Sequence, residues 1–156
     1  MFLRISKNII KKEAQALLLL SKSLDNNYNK IVSLISTTKG NIFLSGVGKS
    51  GHIARKIAST LTSTGTNAFY IHPTEASHGD LGSIKKNDII CLLSKSGQSK
   101  ELLDLLYYAN KKKIKSILIS SKIKSKLAQM SSFNFIIPDI TEAGKNNIAP
   151  TTSTTM

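Results

Sequence analysis

A length of 156 residues, with 40% hydrophobic and 20% charged residues, fits a single globular domain and excludes a largely disordered chain. No apolar run approaches the roughly 18 residues of a membrane span, and the N-terminus lacks the features of a secretory signal, so we expect a cytoplasmic protein with no membrane partner. The formal charge of +13 is spread along the chain without interleaved aromatic residues or a nucleic-acid-binding motif, which favours solvated surface charge over specific nucleic-acid binding.

The order of the predicted elements indicates an α/β fold. Apolar residues recur at helical spacing from about residue 7 to 37, so a helical entry segment is expected over 1–38, with a division near LDNNYN. Five apolar runs have strand length: 41–45, 67–71, 88–93, 116–120 and 133–138. Helical segments follow most of them: 50–62, 99–112 and 122–130. This alternation predicts a three-layer α/β/α sandwich of the flavodoxin-like kind over 39–156, with a five-stranded parallel sheet.

The turn after the first predicted strand, SGVGKSGH, carries glycines around a lysine. Gly46, Gly48 and Gly51 fit the dinucleotide pattern G-x-G-x-x-G, but no acidic residue follows at the distance that a ribose requires. A Walker A loop would need a glycine where Phe43 stands. The remaining prediction is a site for an anion, held by the N-terminus of a helix that starts near Ser50. At this point a tight turn without a ligand explains the pattern equally well.

The turn after the third predicted strand, SKSGQSKE, repeats the arrangement. Gly97 is flanked by Ser94, Ser96 and Ser99 and precedes a helix. Hydroxyls and helix N–H groups suit a phosphate monoester, which accepts several hydrogen bonds at once. Since ligands of open parallel sheets bind beyond the carboxyl ends of the strands, the two turns together predict a phosphorylated ligand.

Two further features receive less specific interpretations. The polar segment STGTNAFYIHPTEASHGDLGSI between the two turns is expected either to be exposed or to line a pocket. Cys91, the single cysteine, lies in the apolar run DIICLL, where a buried residue without chemistry is the ordinary interpretation.

These motifs, with TEAGKNNIAPTTSTT near the C-terminus, closely resemble the sugar isomerase (SIS) domain of arabinose-5-phosphate isomerases, the KpsF/GutQ group. The resemblance runs from about residue 40 to the end. It implies a single SIS domain that interconverts D-arabinose 5-phosphate and D-ribulose 5-phosphate through an enediolate, the first step toward the Kdo sugar of lipopolysaccharide. It also implies a homo-oligomer and no cofactor. Two departures, Gln98 for a usual glutamate and GKNN for a CPLG type of segment, remove no matching catalytic position.

The resemblance assigns roles to individual positions. Lys49, Glu101 and Glu142 stand where members carry residues relevant to catalysis, and His72 stands where an inhibitory zinc can bind. The expected substrate-binding residues, including those of the two turns, are Gly48, Ser50, Gly65, Thr66, His72, His78, Ser94, Ser96, Gly97 and Ser99. Isomerisation needs a base, an acid and a counter-charge, so the two glutamates are the candidate proton carriers and Lys49 the electrostatic stabiliser. For either histidine, holding the shape of the loop is an equally good interpretation.

The C-terminal sequence leads to an expectation about activity. Pro150 and the hydroxyl-rich run after it resemble the first turn of a helix. Members of the family continue with that helix, a histidine contributed across a subunit interface, and usually two CBS modules. We therefore expect a chain truncated after the SIS core, whose turnover alone is slow or absent. Two alternatives stay open: a catalytically impaired sugar-phosphate-binding remnant and, less favoured, a sugar-phosphate-sensing regulator, which would need a DNA-binding module ahead of the first strand.

Overall fold

The N-terminal part of this protein forms two helices, as expected. The structure, a computed structural model, describes residues 1–144 and 149–156. Helix α1 (Phe2–Ser23) begins about five residues before the helical spacing of apolar residues becomes evident, within the predicted segment 1–38, and α2 (Asn26–Thr37) follows after a break at the predicted place. Asp25 causes the break, because its carboxylate caps α2 by accepting hydrogen bonds from the amides of Asn27 (2.9 Å) and Tyr28 (3.4 Å).

The five predicted strands form one parallel sheet. They are β1 (Ile42–Gly46), β2 (Ala68–Tyr70), β3 (Ile89–Leu93), β4 (Lys115–Ser120) and β5 (Phe133–Ile136). Their order in the sheet is β2-β1-β3-β4-β5, which is the order of flavodoxin-like sheets, the kind of fold that the sequence predicted. The direction of winding reverses between β1 and β3, and this opens a crevice at the carboxyl ends of those strands. The turns after β1 and β3 therefore lie side by side.

Helices cover both faces of the sheet. They are α3 (Lys49–Ser63), α4 (Pro73–Ser77), α5 (Leu103–Lys112), α6 (Lys126–Met130) and α7 (Thr152–Thr155), with short 3-10 turns at Asp80–Ser83 and Lys100–Leu102. The predicted helix 122–130 is shorter than expected, because the Ser125 hydroxyl accepts a hydrogen bond from the amide of Ala128 (3.3 Å) and starts the helix there. None of the helices in the described ranges is long and apolar enough to cross a membrane.

Two apolar cores hold the layers together, one on each face of the sheet. Fully buried Leu102, Leu105 and Leu106 pack with Ile90 and Leu92 on one face, whereas α2 and α3 cover the other. Cys91 belongs to the second core. Burial raises the pKa of its thiol to about 12, so the thiol stays protonated at neutral pH.

Helix α1 is packed far less well than the other long helices. Its one buried residue is Ala16. Leu3, Ile10 and Leu17 recur every seven residues and are 69%, 65% and 43% exposed. An apolar stripe of this kind is typical of a helix that packs against another helix.

Candidate functional site

The crevice beyond β1 and β3 contains a cavity of about 600 Å³. It lies where the strand order reverses, the usual place for a ligand in this type of sheet. Residues that follow β1, β3 and β5, together with Leu93 of β3 and Ile119 of β4, form its lining, which consists of Lys49, Ser50, Ile53, Leu93, Ser94, Lys95, Ile119, Ile137, Asp139, Ile140, Thr141, Glu142, Pro150, Ser153 and Thr154. Apolar side chains form part of this wall, and charged and hydroxyl groups converge on the rest.

A second, more polar cavity of about 350 Å³ adjoins the first. The two share Ser50, Ser94, Lys95 and Asp139. All residues of the second lining are polar or charged: Ser50, Ser94, Lys95, Ser96, Ser99, Ser121, Lys122 and Asp139. The larger cavity thus has the size for a small molecule, and the smaller one has the hydroxyls and cations that suit its anionic end.

The turn after β3 shapes the polar cavity and is held firmly. The Ser94 and Ser99 hydroxyls are hydrogen-bonded to each other (2.9 Å), and the backbone amide of Gln98 donates to the Ser96 hydroxyl (3.2 Å). The Lys95 carbonyl accepts three hydrogen bonds from residues 120 and 121, at 2.9 to 3.1 Å, and these join the turn to the end of β4. The hydroxyls of this turn are therefore positioned before any ligand arrives.

Gly97 is required by the geometry of this turn. Its φ is +64°, and a Cβ there would overlap the Ser125 hydroxyl. We predict that Gly97→Ala lowers the free energy of unfolding by about 2–4 kcal/mol, through backbone strain and overpacking. Gly82→Ala is the matched control, since a Cβ at Gly82 meets nothing within 4 Å. Urea unfolding of both variants measures the difference, and equal small losses would show that the turn relaxes freely.

The turn after β1 uses its glycines differently. A Cβ at Gly51 would lie 2.6 Å from the carbonyl oxygen of Gly46, so this glycine lets α3 pack closely on the end of β1. Gly48, with φ +58°, precedes the helix. Lys49 and Ser50 then line the larger cavity from the first turn of α3. The glycine pattern thus serves close packing, and it places a helix N-terminus at the cavity.

Glu142 is the most constrained carboxylate of the site. Its side chain is 4% exposed, forms an ion pair with Lys95, and accepts hydrogen bonds from the amides of Thr151 (2.8 Å) and Ser153 (3.2 Å) and from the hydroxyls of both. Burial alone would raise the pKa of Glu142. The hydrogen bonds from Lys95, Ser153 and Thr151 outweigh burial and lower the pKa from 4.5 to about 2. Glu142 is therefore ionised at neutral pH.

This lowered pKa predicts a pH dependence of stability. A carboxyl whose pKa is lower in the folded than in the unfolded state stabilises the fold fully above its unfolded pKa and loses that effect as the pH falls through its folded pKa. For Glu142 the window runs from 4.5 down to about 2. We expect the free energy of unfolding to fall more steeply across this window in the wild type than in Glu142→Gln. Urea titrations at several pH values test this, with Glu101→Gln as the exposed-carboxylate control; equal slopes would contradict it.

Three of the expected site residues do not reach the two cavities. Glu101 is exposed in the 3-10 turn that precedes α5, and it lines neither cavity. Gly65 and Thr66 precede β2, where they close the end of α3 through hydrogen bonds from their amides to Thr62 and Leu61. They therefore lie at the amino edge of the sheet, opposite to the serine turns. Within one protomer these three residues and the cavities do not form a single site.

The two histidines also lie apart from the cavities. His72 follows β2, stands edge-on to the Tyr70 ring (6.5 Å between centroids), and has a buried Nδ1 without a hydrogen-bond partner. His78 is exposed at the end of α4. Among the residues that the structure describes, no group of three or more His, Cys, Asp or Glu side chains is arranged to hold a metal. The role of His72 toward zinc stays a prediction.

The structure adds residues that sequence reasoning missed. Lys95, Lys122 and Asp139 line the polar cavity, and Lys122 forms an ion pair with Asp139. Lys95 could have been noted, since it stands inside the SKSG turn, whereas Lys122 and Asp139 carry no local signal. The GKNN departure from the family pattern, at 144–147, lies outside the described residues except for Gly144.

Comparison with known proteins gives consistent matches. The sequence profile of the SIS domain matches residues 34–156. The chain is 42% identical to the arabinose 5-phosphate isomerase KpsF of Escherichia coli O6:H1 (strain CFT073) over 151 residues, 96% of this chain and 46% of that protein. It is 39% identical to the arabinose 5-phosphate isomerase KdsD of Yersinia pestis over 154 residues, 99% of this chain and 47% of that protein. The chain thus spans about half the length of these curated relatives.

A solved structure shares the fold. The structure of an E. coli CFT073 protein in complex with arabinose 5-phosphate superposes with a TM-score of 0.93 at 34% sequence identity, over 99% of this chain and 82% of that one. The fold of this chain, including its helical N-terminus, therefore occurs in a protein that binds a sugar phosphate.

Proposed function

Since the chain belongs to the SIS domain family, we propose that it acts on a phosphorylated pentose as an aldose-ketose isomerase and interconverts D-arabinose 5-phosphate and D-ribulose 5-phosphate. The observation that carries the proposal is the pair of adjoining cavities at the carboxyl edge of the sheet, one lined by hydroxyls and cations and the other containing an ionised carboxylate beside a lysine. The names of the two curated relatives support the substrate class.

The cavities divide the substrate into two ends. The phosphate would lie in the polar cavity, where Ser94, Ser96 and Ser99 offer hydroxyl groups to its oxygens. The sugar carbons would extend into the larger cavity toward Lys49 and Glu142. A pentose 5-phosphate places its phosphate and its reacting carbons at opposite ends, which matches this arrangement.

The chemistry requires a proton to move between C2 and C1. In the ring-opened aldose, a base removes the C2 proton while the carbonyl oxygen at C1 gains a proton or a cationic partner, which gives an enediolate. A proton is then delivered to C1 and removed from the oxygen at C2, so that a ketose forms without a change in composition. A positioned base typically contributes about 10²- to 10⁴-fold in rate.

The described residues supply a base and cations. Glu142 is ionised, so it can accept a proton but does not carry one to donate in the resting state. With a pKa of about 2, it becomes a stronger base when Lys95 shares its N–H groups with a substrate oxygen. Lys49 and Lys95 both line the larger cavity and are the candidate counter-charges for the enediolate. Glu101 remains the proposed acid. Because it lines neither cavity of its own protomer, it would have to enter the cavity of a second copy.

Ligand binding tests the proposal. Arabinose 5-phosphate and ribulose 5-phosphate should raise the melting temperature of the purified chain in a saturable way, because a ligand that binds only the folded state stabilises it. Nicotinamide dinucleotides should not, since no acidic residue is placed for their ribose. Stabilisation by the dinucleotides alone would contradict the proposal.

A second candidate function is sugar-phosphate binding without turnover. The lowered pKa of Glu142 and the position of Glu101 outside the cavities favour it, because among the described residues of one protomer they leave a weak base without its proposed partner acid. Exchange of the substrate C2 hydrogen with solvent separates the two functions. The finer assignments, to Kdo synthesis for lipopolysaccharide and to the cytoplasm, belong to the proposed isomerase and follow from the resemblance and from the sequence analysis.

Association of copies is part of the proposal. Glu101, Gly65 and Thr66 can contribute to a cavity only if a second copy brings them there, and the exposed stripe Leu3, Ile10 and Leu17 of α1 offers an apolar contact surface.

We predict that Ile10→Glu shifts the chain toward the monomer by at least tenfold in dissociation constant, because it places a charge in that apolar contact. Asn8→Glu, an exposed polar position on the same helix, adds the same charge and is the control. Light scattering over a concentration series measures the effect, and a wild-type chain that stays monomeric at high concentration would count against association.

A further inference from the structure

The polar cavity contains two lysines, and each is already paired with a carboxylate. Lys95 forms an ion pair with Glu142, and Lys122 forms one with Asp139. Asp139 itself lines the cavity together with the serines of the β3 turn. A carboxylate in a cavity suited to a phosphate is unfavourable for that ligand, since like charges repel at short distance. The position of Asp139 therefore requires an explanation.

The two ion pairs differ in how easily they can open. Glu142 is 4% exposed and is held by the amides and hydroxyls of Thr151 and Ser153, so its separation from Lys95 would leave a buried charge without its cationic partner. Lys122 and Asp139 are 54% and 52% exposed. Water can solvate both as soon as they separate, and a pair of this kind contributes little to stability.

We propose that Asp139 occupies Lys122 in the empty cavity and is displaced when a phosphate group binds, so that Lys122 becomes a ligand of the phosphate. This inference rests on the proposed function for the identity of the phosphate ester, but not for the anion site itself. Lys122 exchanges one anionic partner for another, whereas Lys95 keeps Glu142. Asp139 is then a built-in competitor that sets how tightly the site holds phosphate.

Inorganic phosphate is the simplest probe, with its dissociation constant taken from an NMR titration of backbone amides. We expect Asp139→Asn to bind phosphate about fivefold more tightly and Lys122→Met about fivefold more weakly, the size of effect that half-exposed charge pairs have in water. Lys124→Met removes the same charge two residues away, at an exposed residue that lines neither cavity, and should change the constant less than twofold. All three positions are at the surface, so the variants are expected to fold.

The double variant tests the mechanism of competition. If Asp139 acts by occupying Lys122, Asp139→Asn should improve binding less than twofold once Lys122 is methionine. A gain that persists at full size in the double variant would mean that Asp139 acts only by repulsion, and the inference would be wrong. The inference would also be wrong if Lys122→Met changed the dissociation constant for phosphate no more than Lys124→Met does. The same holds if phosphate bound neither the wild type nor Asp139→Asn.

The same titration with arabinose 5-phosphate separates this inference from the proposed function. Phosphate affinities that change as expected, with arabinose 5-phosphate binding no better than phosphate and keeping its C2 hydrogen, would overturn the function and leave the anion site in place. If the chain isomerises arabinose 5-phosphate but Asp139→Asn and Lys122→Met both bind phosphate as tightly as the wild type, the proposed function would stand. The inferred roles of Asp139 and Lys122 would then be wrong.

Discussion

Replacing Lys95 with methionine is expected to lower the free energy of unfolding at pH 7 by about 1–3 kcal/mol and to raise the pKa of Glu142. The reason is that the 4% exposed carboxylate of Glu142 would lose its cation and stay buried. Breaking a fully buried pair costs more, but Lys95 is 38% exposed and the hydrogen bonds from Thr151 and Ser153 remain, so the loss is smaller here. Urea unfolding at pH 7 measures it.

Removing the carboxylate as well provides the control. In the double variant Lys95→Met with Glu142→Gln, no uncompensated charge is left, and a large part of the lost stability should return. Because less of the lowering of the Glu142 pKa remains in Lys95→Met, the free energy of unfolding of this variant should depend less steeply on pH between 4.5 and about 2 than that of the wild type. A Lys95→Met variant as stable as the wild type at every pH would show that the ion pair contributes nothing to the fold.

The second large effect is on catalysis. Glu142→Gln is expected to slow exchange of the C2 hydrogen of arabinose 5-phosphate by about 10²- to 10⁴-fold, since the amide cannot accept the proton. The substitution keeps the size of the side chain and its capacity to accept hydrogen bonds from Thr151 and Ser153. The binding constant for the substrate should change much less than the exchange rate, and this difference distinguishes a chemical role from a structural one.

Glu101→Gln is the informative comparison for this variant. Glu101 is exposed and lines neither cavity of its own protomer. A large loss in Glu101→Gln that depends on protein concentration would place it in a site shared between copies. If Glu101→Gln abolished exchange while Glu142→Gln left it unchanged, the assignment of the base to Glu142 would be wrong.

The sheet could be predicted from the sequence because its signals are local. Each buried strand is a short apolar run between turns, and the serines around Gly97 mark the carboxyl end of β3 within one segment. The adjacency of the turns after β1 and β3 then follows from the flavodoxin-like order, without any knowledge of side-chain contacts.

The chemistry of the cavity could not be predicted in the same way. The partners Lys95 and Glu142 are 47 residues apart in the chain, and the pKa of Glu142 depends on both burial and that pairing. The predicted strand 67–71 already placed Gly65 and Thr66 before β2, at the opposite edge of the sheet, but the resemblance of the motif assigned them to the substrate all the same. Order along a chain indicates which elements form, but which side chains face one cavity depends on tertiary packing.

The most direct test of the account is incubation of the 156-residue chain with arabinose 5-phosphate in D₂O, under conditions where binding has been measured, while the C2 proton is followed by NMR. We predict that the C2 signal of bound substrate is lost to deuterium faster than in a buffer control, that ribulose 5-phosphate appears with it, and that Glu142→Gln abolishes both. Saturating binding with a C2 proton that persists as long as in buffer would contradict the proposed isomerase and leave a sugar-phosphate-binding protein.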